Sequence, residues 1–99
     1  MKVRVRILPW LSRLAGAEKE AEANFEFVLT AGATLRQLLE EFVARQPGIG
    51  AHVYDRDSGA IKPAVVLILN NRVFELAGGY EAALREEDVI TLLPAYSGG

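Results

Sequence analysis

The sequence predicts an α+β fold in which one mixed β-sheet packs on one main α-helix. Val3, Val5 and Ile7 alternate with charged residues, as in a strand with one buried face. Residues 35–43 carry a single apolar stripe at helical spacing. In a chain of 99 residues such a lone amphipathic helix can bury its stripe only against the face of a sheet.

The N-terminal part of the chain is predicted to form two antiparallel strands. Pro9 ends the first strand, because proline cannot donate a hydrogen bond to a ladder. One helical turn is expected over residues 10–14, and a solvated acidic loop over residues 18–22. The second strand is marked by apolar residues at alternate positions: Phe25, Phe27 and Leu29.

The main helix is predicted to begin after Thr34. The Thr34 hydroxyl would accept from the Gln37 amide while the glutamine side chain reaches back, which is a capping box. The apolar stripe of this helix consists of Leu35, Leu38, Leu39, Phe42 and Val43. Pro47 and Gly48 are expected to end the helix.

The second half of the chain supplies the remaining strands. Residues 48–63 are expected to form a polar, glycine-bearing loop. Residues 65–69 are aliphatic throughout, as in a strand that is covered on both faces or lies in mid-sheet. Asn70-Asn71 tolerates positive φ and therefore predicts a tight hairpin into the next strand.

The final strand is predicted over residues 89–93, after a turn at Gly78-Gly79, and Pro94 is expected to break it. The order of strand, strand, helix and three strands is that of the β-grasp, or ubiquitin-like roll. In that fold the first and last strands lie side by side and parallel at the centre of the sheet. We expect residues 1–94 to form this domain and residues 95–99 to form a flexible tail.

Composition argues against several classes of function. A net charge of −2 argues against nucleic-acid binding. The absence of cysteine excludes disulfides, thiolate metal sites and a cysteine nucleophile. The N-terminal residues interleave charge with apolar residues, unlike a signal peptide. The longest apolar run, residues 64–69, is far shorter than the ~20 residues of a membrane helix. We therefore expect a cytoplasmic protein with no membrane partner.

The side chains offer little for catalysis or metal binding. His52 is the only histidine and is expected to be solvated. Residues 55–59 look like the start of a calcium loop but lack its closing glutamate, so a turn is expected. The acidic residues in 18–22 and 86–88 lie in polar runs, which favours solvated surface over acid–base chemistry. No enzymatic activity, metal or stably bound cofactor is expected.

The end of the chain carries one specific motif. Residues 88–99 (DVITLLPAYSGG) resemble the C-terminal signature of the MoaD/ThiS family of ubiquitin-like sulfur carriers. The Leu-Leu-Pro-Ala-x-x-Gly-Gly ending looks most like CysO-like members and small archaeal ubiquitin-like modifiers. The length of segment 48–63 departs from compact ThiS members and favours the CysO-like or MoaD-like subgroups.

The resemblance implies that the carboxylate of Gly99, preceded by Gly98, is the reacting group. An E1-like enzyme of the MoeB/ThiF type would use ATP to adenylate it, and sulfur from a persulfide would convert it to a thiocarboxylate. Glycines suit this task, because a chain without Cβ atoms can thread a narrow groove. The acceptor would be an enzyme such as a molybdopterin synthase large subunit or a cysteine synthase. The sulfur would enter molybdenum cofactor, cysteine or thiolated tRNA.

Three functions fit this terminus. The first is a sulfur carrier, not itself an enzyme, or the small subunit of a molybdopterin-synthase-like complex. The alternative is a ubiquitin-like modifier conjugated through Gly99 to target lysines, since both uses need the same tail. The third is a β-grasp binding module whose terminus has no chemical role.

The partner is expected to bind the last strand and the tail. The residues concerned are Leu93, Pro94, Ala95, Tyr96 and Ser97. Alternation places Ile90 and Leu92 in the core and Leu93 on the uncovered face of the sheet. Three basic residues of the first strand would lie on the same side: Lys2, Arg4 and Arg6. The opposing possibility is that segment 10–23, which contains Trp10 and Leu14, covers Leu93.

Overall fold

A computed structural model describes residues 1–14 and 23–95 of the chain. Within these ranges the strands are β1 (Lys2–Ile7), β2 (Ala23–Val28), β3 (Tyr54–Asp55), β4 (Ala60–Ile61), β5 (Val65–Leu69), β6 (Arg72–Val73) and β7 (Val89–Pro94). The helices are α1 (Pro9–Leu14), α2 (Leu35–Arg45) and α3 (Pro47–Gly50), with a 3₁₀ turn at Gly79–Glu81. The predicted acidic loop over residues 18–22 lies outside the described residues.

Five of these strands form one mixed sheet in the order β2-β1-β7-β5-β6. β1 and β2 are antiparallel, as predicted, and β1 and β7 lie side by side and parallel. In the parallel pair Arg4 lies opposite Val89 and Ile7 lies opposite Leu92. The first and last strands therefore occupy the centre of the sheet, which confirms the β-grasp arrangement.

The helix α2 forms as its sequence predicts. The Gln37 amide donates to the Thr34 hydroxyl (3.3 Å), and the Thr34 amide donates to Oε1 of Gln37 (2.7 Å), which completes the capping box. All five residues of the predicted stripe are buried: Leu35, Leu38, Leu39, Phe42 and Val43. The ring of Phe42 packs edge-on against Phe27 of β2, so α2 covers one face of the sheet.

The strands alternate between this covered face and an uncovered one. β1 buries Val3, Val5 and Ile7 and exposes Lys2, Arg4 and Arg6. β5 buries Val65, Leu67 and Leu69 but leaves Val66 and Ile68 half-buried. Of the two alternatives that the aliphatic run left open, the structure therefore confirms the mid-sheet position and not burial on both faces. The hairpin after β5 also forms, with Asn70 in the left-handed region at φ 57°.

The segment over residues 48–63 is more ordered than the predicted loop. Its first residues belong to α3, and β3 and β4 form a small antiparallel hairpin. Val53 and Tyr54 are buried in the same core as α2. The sequence pattern missed this because only these adjacent residues turn inward, which is too few to show a period. The turn expected over residues 55–59 is present, with Gly59 donating its amide to the Asp55 carbonyl (2.8 Å).

The last strand ends at Pro94 but includes it, one residue beyond the expected range of 89–93. Pro94 belongs to β7 and pairs with Val65 of β5. Along β7 the odd-numbered residues turn their backbone groups toward β5, as the Asn70 amide bound to the Val89 carbonyl shows (2.7 Å). The missing N–H of Pro94 therefore faces away from β5, and the proline costs no hydrogen bond on that side.

Candidate functional site

The C-terminal end of β7 is held by hydrogen bonds on both sides. On the β5 side the Ala95 amide donates to the Ala64 carbonyl (2.9 Å). On the β1 side the indole Nε1–H of Trp10, in α1, donates to the Leu92 carbonyl (3.0 Å). The indole is partly buried against the core. The chain therefore stays hydrogen-bonded to the β5 side through Ala95, one residue past the end of β7.

The structure brings together three of the predicted partner-binding residues at this end of the sheet. Leu93 and Pro94 are half-buried in β7, and Ala95, the first residue after the strand, is exposed. The remaining predicted site residues, Tyr96 to Gly99, lie outside the described residues. The predicted mobility of the tail and the role of Gly99 therefore stay predictions.

The uncovered face of the sheet leads to this end of β7. Register places Leu93 beside Val66 and Thr91 beside Ile68, with their side chains on the face that α2 does not cover. Ile90 and Leu92, on the opposite face, are fully buried as predicted. We name the half-buried set of Val66, Ile68, Val89, Thr91 and Leu93 the open face.

The basic residues of β1 border the open face as expected. Arg4 lies opposite Val89 and Arg6 opposite Thr91, and both arginines are exposed. Arg4 also lies 3.5 Å from the carboxylate of Glu26 in β2, so part of this basic edge is already paired. The possibility that segment 10–23 covers Leu93 depends largely on residues outside the described part of the chain.

The other candidate side chains have structural roles in the part of the chain that is described. Asp55 accepts the Asp57 amide (3.0 Å), and this bond, with one from Ser58, lowers the pKa of the Asp55 carboxyl. Glu86 accepts the Lys2 amide, and Asp88 accepts the Arg85 amide (2.8 Å). These two carboxylates accept hydrogen bonds from backbone amides, whereas the sequence predicted only solvated surface for them.

Residues 1–14 and 23–95 contain neither a candidate metal cluster nor a membrane-spanning helix. His52 is half-buried and not fully solvated, and no group of histidine and acidic residues there could hold a metal ion. No helix in those ranges is long and apolar enough to span a membrane. The described residues therefore offer the end of β7 and the open face as the candidate site.

Trp10 is the site residue that sequence reasoning missed. The sequence placed Trp10 in a predicted helical turn and in a segment considered as a cover for Leu93, but gave it no role at the end of β7. Its signal was position: it is the single tryptophan and follows Pro9, where the strand alternation stops. A side chain at that point is close to the neighbouring strand's last residues, but only the parallel register of β1 and β7 identifies Leu92 as its acceptor.

Comparison with known proteins gives matches along nearly the whole chain. The ThiS family model matches residues 10–99. The sulfur carrier protein CysO of Mycobacterium tuberculosis is 29% identical over 100 residues, and the alignment covers 100% of both chains. SAMP1 from Haloferax volcanii has a similar structure, with a TM-score of 0.74, 19% identity and 100% of both chains covered.

A solved complex of BexX with CysO from Amycolatopsis orientalis contains a further similar chain. Its TM-score is 0.66 at 27% identity, and the match covers 98% of the present chain and 99% of that chain. The likeness to SAMP1 concerns the fold alone, because the identity is low. The likenesses to the two CysO proteins, at 27–29% identity, cover 98–100% of the present chain.

Proposed function

Because the chain belongs to the ThiS family, we propose that it is a sulfur carrier whose working group is the carboxylate of Gly99. The MoaD/ThiS resemblance inferred from residues 88–99 is confirmed by this family match. The observation that carries the proposal is that the match runs to residue 99 and so includes the last two glycines. The CysO relatives, which are sulfur carrier proteins, support the same role.

The chemistry requires activation, because a carboxylate is a poor acyl donor. A carboxylate oxygen of Gly99 attacks the α-phosphorus of ATP held by the activating partner, and pyrophosphate leaves. The terminal sulfur of a persulfide then attacks the acyl carbon of the adenylate, and AMP leaves. A thiol attacks the other sulfur of the resulting acyl persulfide, which forms a disulfide and releases the thiocarboxylate.

The chain cannot supply the sulfur chemistry itself. It has no cysteine, so the persulfide and the releasing thiol must both belong to partners. The thiocarboxylate is anionic at neutral pH and needs no neighbouring base, unlike a serine or lysine nucleophile. In this role the chain is a carrier without a stably bound cofactor, acting in the cytoplasm where its partner draws on ATP.

The partners are assigned by the same chemistry. We propose an E1-like adenylating enzyme for activation and a sulfur-acceptor enzyme for transfer. The complex of CysO with BexX supports a protein partner for this kind of chain. The open face and the exposed Ala95 lie next to the point where the terminus leaves the sheet. A partner bound on this face would receive Gly99 without any rearrangement of the core.

Deletion of Gly99 tests whether the terminus is the reacting group. The reacting carbon must lie within about 3–3.5 Å of its target. Loss of one residue moves it by roughly 3.3–3.6 Å. ATP–pyrophosphate exchange with the E1-like enzyme should therefore be abolished, while the melting temperature stays unchanged. A chain with one residue added after Gly99 is a second test of the same point, and its ATP–pyrophosphate exchange should be abolished as well. Undiminished exchange by either chain would refute the assignment.

The alternative function, a ubiquitin-like modifier, would use the same adenylated terminus. The chain has the fold of SAMP1, a small archaeal modifier protein. Mass spectrometry of protein from its native cell separates the two uses. Replacement of a carboxylate oxygen by sulfur at Gly99 supports the carrier. Gly-Gly remnants on lysines of other proteins, without that replacement, would favour the modifier.

A further inference from the structure

The ladder between β1 and β7 ends at Leu92, where a side chain replaces the next backbone donor of β1. Arg4 donates its amide to the Asp88 carbonyl (2.9 Å). Donors recur at every second residue of a parallel pair, so the amide facing the Leu92 carbonyl would be that of residue 8. β1 has ended before that residue, and the indole N–H of Trp10 occupies the place of the missing backbone donor.

The reciprocal donor on β7 is missing as well. By the same spacing it would be the amide of residue 94, which is a proline and has no N–H. On the other side of β7 the ladder continues to the bond between Ala95 and Ala64. Within the described residues, the end of β7 is therefore held by the β5 ladder and by the side chain of Trp10.

We propose that Trp10 is a positioning residue for the chemistry of the C-terminus. By holding the Leu92 carbonyl it keeps the end of β7 paired with β5, so that the chain leaves the sheet after Ala95. This inference rests on the proposed function, because it concerns how the activating partner receives Gly99. A stretch of four extended residues spans at most about 13–14 Å, so the point at which the chain leaves the sheet limits how far Gly99 can reach.

The substitution Trp10→Phe isolates this role, because it keeps an aromatic ring and removes the N–H donor. Without that donor the end of β7 should separate from β5. Gly99 would then be attached to a longer free segment and would reach the geometry needed for adenylation less often. The kcat of ATP–pyrophosphate exchange should fall about tenfold. The open face still binds the partner, so KM should stay within about twofold. Exchange of the Ala95 amide with solvent should quicken by about fivefold or more.

Asn70→Gly is the matched control at the other end of the same strand. The Asn70 side chain accepts the Val89 amide (3.0 Å) and donates to Asp88 (3.0 Å), and glycine tolerates the φ of 57° at this position. This variant should lose stability but keep kcat, KM and the protection of Ala95. Equal losses of kcat in the two variants would overturn the proposal, and so would an unchanged kcat in Trp10→Phe.

Two outcomes separate this inference from the function on which it rests. If the unmodified chain supports no ATP–pyrophosphate exchange, the proposed function fails. Protection of the Ala95 amide against hydrogen exchange then still tests whether Trp10 holds the end of β7. If Trp10→Phe does not fold, hydrogen exchange of the unmodified chain decides. In the unmodified chain the Trp10 indole proton and the Ala95 amide proton should both be protected against hydrogen exchange. Exchange of either proton at the rate of an unprotected group would refute the role of Trp10 in holding the end of β7.

Discussion

Tyr54 is only 2% exposed, yet it carries a hydroxyl into the region where residues 47–61 meet α2. Its hydroxyl accepts from Nη1 of Arg36 (3.1 Å) and donates to Oε1 of Glu40 (3.1 Å). Burial raises the pKa of the Tyr54 phenol. The same guanidinium donates to the Gly59 carbonyl (2.8 Å), so a few polar groups fasten the β3–β4 hairpin to α2.

Replacing Tyr54 by phenylalanine should destabilise the fold by about 1–2 kcal/mol, because two hydrogen bonds are lost. The raised pKa means that the folded chain keeps the phenol proton more tightly than the unfolded chain does. This contribution is complete below the ordinary pKa near 10 and is lost as the pH rises through the folded pKa.

Urea unfolding measured between about pH 8 and about pH 11 checks this prediction. The difference in unfolding free energy between the natural chain and Tyr54→Phe should shrink over that range. A difference that stays constant would show that the phenol does not titrate differently in the folded and unfolded chains.

Among the elements, α2 carries both its start signal and its buried stripe in its own sequence. The capping box at Thr34 satisfies backbone donors that the first turn would otherwise leave unpaired. The hairpin of β3 and β4 has no such local signal and depends on Tyr54 and its partners in α2. The β7 strand is intermediate, since its faces follow from alternation but its end follows from Trp10.

Thr34→Ala should lower the unfolding free energy by about 1 kcal/mol, because the capping hydroxyl is lost. For a domain of this size that corresponds to a fall of roughly 4–8 °C in melting temperature. Thr30→Ala is the matched control: Thr30 is exposed in the preceding turn, and its loss should change stability by no more than about 0.5 kcal/mol. Thr34→Ser should restore most of the loss, and equal melting temperatures for the two alanine variants would contradict the capping role.

At the scale of the whole molecule, a single layer of helix leaves one sheet face without a cover in the described structure. α2 packs on the face that contains Ile90 and Leu92. The open face is apolar along β5 and β7 and turns basic toward β1, where Arg4 and Arg6 are exposed. An apolar surface with a charged edge favours a partner whose own rim is acidic. Its position beside Ala95 links docking to presentation of the terminus.

Leu93→Asp should weaken binding of the activating partner by about 1–3 kcal/mol, as expected for an interface anchor. Because Leu93 is half-buried on the open face, the melting temperature should change little. Leu76→Asp is the matched control, since Leu76 is 74% exposed and does not belong to the open face. Calorimetric titration should show normal affinity for that variant. A large loss of stability in Leu93→Asp would instead place Leu93 in the core.

Much of the fold and part of the site could be predicted from the sequence. The period of two in β1 and the stripe of α2 identified the buried faces, and both are buried as predicted. The parallel pairing of the first and last strands followed from the order of elements. Segment 47–63 could not be predicted, because the inward turn of Val53 and Tyr54 leaves no repeating pattern.

The sequence by itself determined the faces of the strands, the start of α2 and the family to which the chain belongs. Only the tertiary structure decided how β7 ends. Proline was expected to break the strand, but a proline interrupts a ladder only on the side toward which its nitrogen points. The register with β5 turns Pro94 away from that partner, and Trp10 binds the Leu92 carbonyl on the other side. Periodicity is a local property of a chain, whereas the partner of each backbone group is set by residues far away in sequence.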